Sequence, residues 1–197
     1  MEYDYSLKLI LAGDSNVGKT TLFKKIIKSI NTDNMSTVGV DFESIYINHE
    51  NNNYKICLWD TAGQEKYRSI IKKHFENVSG IILIFDLNNP ITFDNLEGWI
   101  YDIIRYNNCN HDHPIILIGN KKDLENKIDR NKLILLIEKF ELIYIETSII
   151  NNDVEVILEF LLDIIKKRII EYNKKCCGVK LRKDEKNKLT IFDNIFQ

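Results

Sequence analysis

Two glycines, a lysine and a hydroxyl stand at a fixed spacing in the segment GDSNVGKT (residues 13–20). The pattern G-x-x-x-x-G-K-S/T is typical of a loop whose backbone N–H groups surround phosphate oxygens at the start of a helix. Gly13 and Gly18 permit the tight turn. Lys19 is placed to reach the β- and γ-phosphates, and the Thr20 hydroxyl is placed to ligate Mg²⁺. The segment predicts a nucleotide-phosphate site without choosing between ATP and GTP. The predicted contact residues are Gly13, Asp14, Ser15, Asn16, Val17, Gly18, Lys19, Thr20 and Thr21.

A second polar segment, NKKD (residues 120–123), follows the apolar run PIILIG and favours guanine as the base. The Asp123 carboxylate can accept both N–H groups of the guanine edge, a pattern that adenine does not offer. A buried carboxylate facing adenine would be left unpaired, at a cost in desolvation. An ATP-dependent kinase is therefore disfavoured, and the chain also lacks a recognisable lid for an acceptor substrate. The residues predicted to contact the base side are Asn120, Lys121, Asp123 and Leu124.

A third segment, WDTAGQE (residues 59–65), has the residue types needed for metal binding and for attack by water. Asp60 is placed to hold Mg²⁺ through a water molecule, and the Gly63 amide can meet the γ-phosphate. Gln64 can orient the attacking water, a role that glutamine has in this class of phosphoryl transfer. A plain strand ending in a turn would explain Asp60 and Gly63 but not the whole string.

Short apolar runs alternate with helical patterns along the chain, which favours an α/β protein that binds ligands at the carboxyl ends of its strands. The runs at 80–87 and 114–120 are typical of strands buried on both faces of a parallel sheet, and an asparagine-rich turn predicts one hairpin. We therefore expect a P-loop NTPase with a six-stranded, mostly parallel, doubly wound sheet, one antiparallel edge strand and about five helices. The predicted strands are 5–12, 40–48, 54–60, 80–87, 114–120 and 142–148, and the predicted helices include 19–30, 93–106, 131–140 and 153–172.

The composition excludes several other classes of protein. The chain has 197 residues, 44% of them hydrophobic and 28% charged, with a net charge of -2, as in ordinary globular domains. This charge gives no electrostatic reason to expect nucleic-acid binding. No segment has the apolar length of a membrane span, and the start carries no basic leader. The four cysteines suit neither a disulfide framework nor a zinc site, so we expect a reducing, cytoplasmic setting. One domain is predicted over 1–173, followed by a flexible tail over 174–197.

Together these motifs resemble those of the Ras superfamily of small GTPases, most closely its Rab branch, over about residues 5–172. The segment STVGVDF (36–42) is similar to the first Rab switch, WDTAGQEKYRSI (59–70) is similar to the second, and ETS (146–148) is similar to part of the guanine pocket. The resemblance implies that Thr37 senses Mg²⁺ and the γ-phosphate, so that hydrolysis releases its loop. The implied catalytic residues are Lys19, Thr37 and Gln64, the implied Mg²⁺ ligands are Thr20, Thr37 and Asp60, and the implied pocket includes Thr147, Ser148, Ile149 and Ile150.

The resemblance implies a switch that binds GTP or GDP with Mg²⁺, hydrolyses GTP slowly without help and recruits effectors in vesicle traffic. It implies an exchange factor, an activating protein and effectors as partners of a monomer, in the cytoplasm or peripheral on the cytosolic face of an endomembrane. An alternative stays open, in which the chain is a scaffold or decoy that occupies Rab partners without cycling. Gln64 and Thr37 argue against that alternative, whereas the lack of an aromatic residue over the base and of a lipid site at the C-terminus argues for it. The implied effector surface consists of Val40, Asp41, Phe42, Trp59 and His74.

The nucleotide pocket departs from the Rab pattern in two respects. The stretch from Lys19 to Thr37 is one residue shorter than usual, and Ile30 or Asn31 stands where an aromatic side chain would lie over the guanine. Because aromatic stacking on a base is worth about 1–3 kcal/mol, we expect faster nucleotide release than in a typical Rab protein. The sequence SII stands where Rab proteins carry SAK, and the Ile149 N–H remains available for the guanine oxygen.

Two further departures concern the surface and the end of the chain. His74, followed by Phe75, replaces an aromatic residue of the effector surface, which indicates either an exposed helix histidine or an altered set of partners. Cys176 and Cys177 stand far from Gln197, whereas prenylation needs cysteines at or near the C-terminus. We therefore expect no standard C-terminal prenylation. Palmitoylation of the pair and a solvated tail with two inert thiols both stay open.

Overall fold

The computed structural model of the chain describes residues 3–30, 41–49, 51–61, 75–76, 78–106 and 114–151, together with 160, 162–164 and 167. Within these residues, strands and helices alternate as the sequence predicts. The strands are β1 (Tyr5–Ala12), β2 (Asp41–His49), β3 (Asn52–Asp60), β4 (Gly80–Asp86), β5 (Ile115–Asn120) and β6 (Ile143–Glu146). The helices with defined bounds are α1 (Lys19–Ile30), α2 (Pro90–Asp94), α3 (Leu96–Tyr106) and α4 (Arg130–Phe140). Residues 160, 162–164 and 167 are also helical and fall within the helix predicted over 153–172.

The six strands form one sheet in the order β2-β3-β1-β4-β5-β6. β2 pairs antiparallel with β3, and every other neighbouring pair is parallel. The β2–β3 hairpin turns at Asn51, whose φ of 63° is a left-handed conformation that asparagine tolerates better than most residues. The structure therefore confirms the predicted mixed sheet with one antiparallel edge strand. This order brings the carboxyl ends of the parallel strands to one edge of the sheet.

The sheet is covered on both faces, which explains the continuous apolar runs in its middle strands. Every residue of β4 is buried. Alternate residues of β1 enter two different cores: Leu9 packs on the side of α1 with Leu22, and Ile10 packs on the side of α3 with Trp99. Burial on both faces fixes the register of each strand, because a shift of one residue would move the side chains of each core to the opposite face of the sheet.

The helix predicted over 93–106 is two helices separated by Asn95. α2 begins after Asn89, whose side chain accepts a hydrogen bond from the Ile91 N–H, and has Pro90 at its first position. These are ordinary helix-start signals, and the sequence prediction placed the start three residues too late. The Asn95 N–H donates to the carbonyls of Ile91 and Phe93, which closes α2 before α3 begins. The break leaves the Asn95 side chain exposed beside the first turn of α3.

The other predicted elements whose bounds the structure defines differ from it only at their ends, whereas most of the helix predicted over 153–172 lies outside the described residues. α4 begins one residue earlier than predicted, after Asp129 as its N-cap, and ends where Glu141 adopts a left-handed conformation. In the part of the chain that the structure describes, no helix is long and apolar enough to cross a membrane. The predicted boundary between domain and tail, at 173 and 174, lies outside the described residues.

Candidate nucleotide site

The loop between β1 and α1 has a backbone that requires glycine at both ends of the motif. Gly13 has a φ of 130° and Gly18 a φ of 109°, both in the region that favours glycine. A Cβ atom on Gly13 would overlap the carbonyl oxygen of Ile84, and one on Gly18 would overlap the Asn120 side-chain amide. The loop therefore lies directly against the ends of β4 and β5.

Lys19 is buried although it carries a charge, with 5% of its surface exposed. Its Nζ donates a hydrogen bond of 2.6 Å to the backbone oxygen of Asp14. Burial lowers the pKa of the Lys19 ammonium to about 8, while the nearby Asp60 and Asp14 act in the opposite direction. The amine is thus mostly protonated at neutral pH and is held inside the loop, where its charge is poorly solvated.

Thr20 and Asp60 come together from α1 and from the carboxyl end of β3. The Thr20 Oγ1 donates a hydrogen bond of 2.5 Å to the Asp60 Oδ2. Asp60 is buried, and the neighbouring Thr61 hydroxyl donates to the Leu11 carbonyl at 2.7 Å, which ties this strand end to β1. A hydroxyl and a carboxylate are oxygen donors of the kind that Mg²⁺ prefers, so this pair fits a magnesium site beside the phosphates.

Asn120 joins three loops at the centre of the site. Its Nδ2 donates to the Val17 carbonyl at 2.7 Å, and its Oδ1 accepts from the Ile149 N–H at 3.0 Å. The side chain is buried, with 4% of its surface exposed. It thus connects the glycine loop, the NKKD segment and the segment after β6. The Ile149 N–H, which the sequence assigned to the guanine oxygen, is directed to Asn120 in this structure.

The NKKD segment is held by side chains of its neighbours. The Ser148 Oγ donates to the Asp123 Oδ1, and this contact joins the loops after β5 and β6. Lys121 has a φ of 65°, and its Nζ lies 2.7 Å from the Asp86 Oδ2 at the end of β4. The Asp123 carboxylate, predicted to read the base, is therefore fixed in orientation from the adjacent loop. Leu124 and Ile150 are both exposed.

The structure brings together predicted nucleotide-site residues of three motifs, and several other predicted residues lie outside the described part of the chain. Those brought together are Gly13, Asp14, Ser15, Asn16, Val17, Gly18, Lys19, Thr20, Thr21, Asp60, Asn120, Lys121, Asp123, Leu124, Thr147, Ser148, Ile149 and Ile150. Those outside it are Thr37, Gly63 and Gln64, the surface residues Val40 and His74, Asn31, and the cysteines Cys176 and Cys177. Of the predicted effector surface, Asp41 and Phe42 lie in β2 and Trp59 lies in β3.

Two residues of the predicted effector surface pair across the β2–β3 hairpin. Phe42 lies opposite Trp59 in the register, and their ring centroids are 4.5 Å apart. Phe42 is 40% exposed, and the Lys8 ammonium lies 5.6 Å from the Trp59 ring centroid. The hairpin therefore presents an aromatic pair with a neighbouring positive charge at its surface.

Sequence reasoning missed three residues that support the site: Asp86, Asn95 and Trp99. Asp86 pairs with Lys121, and it could have been found, because it ends an apolar strand in the same way that Asp60 does. Asn95 and Trp99 hydrogen-bond to the Asp14 side chain across 81 and 85 positions of sequence. No local sequence pattern predicts a contact between residues so far apart in the chain.

Comparison with known proteins gives a consistent result over most of the chain. Residues 8–167 match the model of a family described as the Ras family. The chain is 35% identical to "Ras-related protein Rab-27A" of Homo sapiens over 182 residues, covering 85% of this chain and 82% of that protein. It is 37% identical to "Ras-related protein Rab-1D" of Dictyostelium discoideum over 150 residues, covering 75% and 72%. It is 34% identical to "Ras-related protein rab-11.1" of Caenorhabditis elegans over 154 residues, covering 77% and 72%.

Proposed function

This chain belongs to the Ras family of small GTPases, with Rab proteins among its relatives, and from that premise we propose that it is a GTP/GDP-dependent switch in intracellular vesicle traffic. As a member of the family it binds guanine nucleotides and hydrolyses GTP to GDP and phosphate. The proposal adds that the GTP-bound form recruits effectors and that hydrolysis ends the interaction.

The observation that best supports the proposal is the set of hydrogen bonds made by Asn120. A single buried side chain joins the loop next to Lys19 with both loops that carry the candidate guanine contacts. The predicted phosphate and base sites are thereby linked, because movement of either the glycine loop or the segment after β6 would disturb a hydrogen bond of Asn120. Such a link suits a protein that holds the phosphates and the base of one guanine nucleotide at the same time.

In the proposed mechanism, Lys19 offers its charge to the phosphates from inside the glycine loop. Thr20, Asp60 and Thr37 would hold Mg²⁺, which when bound offsets the negative charge on the phosphates. Gln64 would orient the water that attacks the γ-phosphate. The segment 31–42 contains no arginine, so hydrolysis is slow until an activating protein supplies an arginine or its equivalent.

The proposed partners are an exchange factor, an activating protein and effectors that bind the surface around Phe42 and Trp59. On that surface an aromatic pair lies next to the Lys8 ammonium. It therefore suits a partner that presents apolar side chains next to a negatively charged group. We place the protein in the cytoplasm or on the cytosolic face of an endomembrane, by analogy with its relatives. Whether Cys176 and Cys177 carry lipid is measurable as the intact mass of protein from its native cell.

Single-turnover hydrolysis of bound GTP tests the enzymatic part of the proposal. The variant Gln64→Leu removes the group that orients water, so its rate should fall by about tenfold or more. The other glutamine of the chain, Gln197, offers a matched control, and Gln197→Leu should hydrolyse GTP at the wild-type rate. Equal rates for wild type and Gln64→Leu would instead favour a scaffold that holds nucleotide without cycling.

A further inference from the structure

Asp14 is a carboxylate inside a loop that is built to bind anions, and both of its oxygens are held by donors from the other side of the site. The Asn95 Nδ2 donates to the Asp14 Oδ2 at 2.7 Å, and the Trp99 Nε1 donates to the Asp14 Oδ1 at 2.8 Å. Asn95 stands between α2 and α3, and Trp99 lies in the first turn of α3 with 2% of its surface exposed. The carboxylate is therefore fixed to a rigid, packed element.

The backbone of the same residue holds the phosphate lysine. The Asp14 carbonyl accepts the hydrogen bond of 2.6 Å from the Lys19 Nζ. The Asp14 side chain is thus hydrogen-bonded to Asn95 and Trp99, and its backbone carbonyl is hydrogen-bonded to Lys19. Hydrogen bonds to an ionised carboxylate are roughly twice as strong as neutral ones, so the two donors restrict the rotation of Asp14 strongly.

The charge of Asp14 makes this restriction matter for nucleotide binding. A carboxylate that turned toward the phosphates would repel them, and one that turned toward Lys19 would compete with them for its ammonium. Asn95 and Trp99 donate hydrogen bonds to both oxygens of the Asp14 carboxylate and hold it toward α3. The Lys19 ammonium is then bound by the Asp14 carbonyl oxygen and not by its carboxylate. Neither donor belongs to a nucleotide motif of the sequence.

We propose that Asn95 and Trp99 are positioning residues of the phosphate loop, which act through Asp14 to keep the Lys19 ammonium directed into the site. The inference rests on the proposed nucleotide site and extends it to the junction of α2 and α3. The strength with which nucleotide is held should then depend on the hydrogen bond between Asn95 and Asp14, although Asn95 lies outside the predicted nucleotide motifs.

The variant Asn95→Asp tests the proposal, with release of the fluorescent nucleotide mant-GDP as the measurement. The substitution replaces the donor by a second carboxylate facing Asp14, so release should accelerate by about tenfold or more. Asn95→Ala removes the donor without adding charge and should give a smaller acceleration of about threefold. The exposed position of Asn95 makes both variants compatible with the fold, which circular dichroism can verify.

The exchange of the two side chains, Asp14→Asn with Asn95→Asp, separates positioning from a general loss of structure. In the double variant a carboxylate at 95 can accept from an amide at 14, and that amide oxygen can still accept from Trp99. Release from the double variant should therefore be at least about threefold slower than release from Asn95→Asp alone. The matched control Asn89→Asp makes the same substitution on the same short helix, where aspartate caps as well as asparagine, and should release at the wild-type rate.

Three outcomes would overturn the inference. Release from Asn95→Asp at the wild-type rate would show that the hydrogen bond does not position the loop. A double variant as fast as Asn95→Asp would show that the effect is not carried by the pair. Failure of the wild-type protein to bind mant-GDP at all would overturn the proposed function and this inference together, whereas the first two outcomes leave the proposed function intact.

Discussion

Gly18 and Asn120 show how closely single residues of the site depend on one another. The Asn120 amide reaches the Val17 carbonyl only because the next residue has no side chain, since a Cβ at Gly18 would occupy the place of the amide nitrogen. The positive φ of Gly18 adds a second constraint, because L-residues rarely adopt it. Gly18 thus permits both the backbone conformation of the phosphate loop and the hydrogen bond that joins this loop to Asn120 of the predicted base pocket.

Replacement of this glycine should therefore disturb nucleotide binding directly. Gly18→Ala is expected to weaken GDP binding by about tenfold or more, because backbone strain and displacement of Asn120 together cost about 1–3 kcal/mol. The ratio of dissociation to association rates of mant-GDP measures the effect. Gly98, an exposed glycine within α3, is the control, and Gly98→Ala should raise the unfolding free energy by up to about 1 kcal/mol without changing GDP binding. An unchanged GDP affinity in Gly18→Ala would contradict this view of the loop.

At the level of elements, the carboxyl ends of β1, β3, β4 and β5 converge on one edge of the sheet and supply the site. This placement was predictable, because continuous apolar runs followed by polar segments identify buried parallel strands and their ends. The phosphate, metal and base segments could be assigned to that edge from spacing alone. The break at Asn95 and its bond to Asp14 could not, because they depend on how α3 packs against the loop rather than on any local pattern.

Substitutions in elements away from that edge should change the stability of the protein and leave its nucleotide binding unchanged. Asp129 caps α4 by accepting hydrogen bonds from the Asn131 and Lys132 N–H groups. Asp129→Ala should lower the unfolding free energy by about 1 kcal/mol, as measured by urea denaturation of the GDP-bound protein. Asp129→Asn, which preserves the cap, should change it by only a few tenths of that amount. A large acceleration of mant-GDP release in Asp129→Ala would argue that α4 belongs to the site.

At the level of the whole molecule, a sheet that is buried on both faces carries a candidate site made of loops together with the ends of α1, β3 and β5. Strand β4 is buried throughout, whereas the glycine loop, the NKKD segment and the segment after β6 meet through a few side chains. This division suits a protein in which a change of nucleotide must alter its surface without unfolding its core. We expect the nucleotide-dependent change to be confined to the segments that resemble Rab switches, 36–42 and 59–70.

Amide hydrogen exchange followed by mass spectrometry tests that expectation, which is the central claim of a switch. The same protein would be loaded either with GDP or with a non-hydrolysable GTP analogue, each with Mg²⁺. We predict slower exchange in the analogue-bound form over residues 36–42 and 59–70, and equal exchange in β4 and α4. Identical exchange throughout the chain in the two nucleotide states would contradict the account.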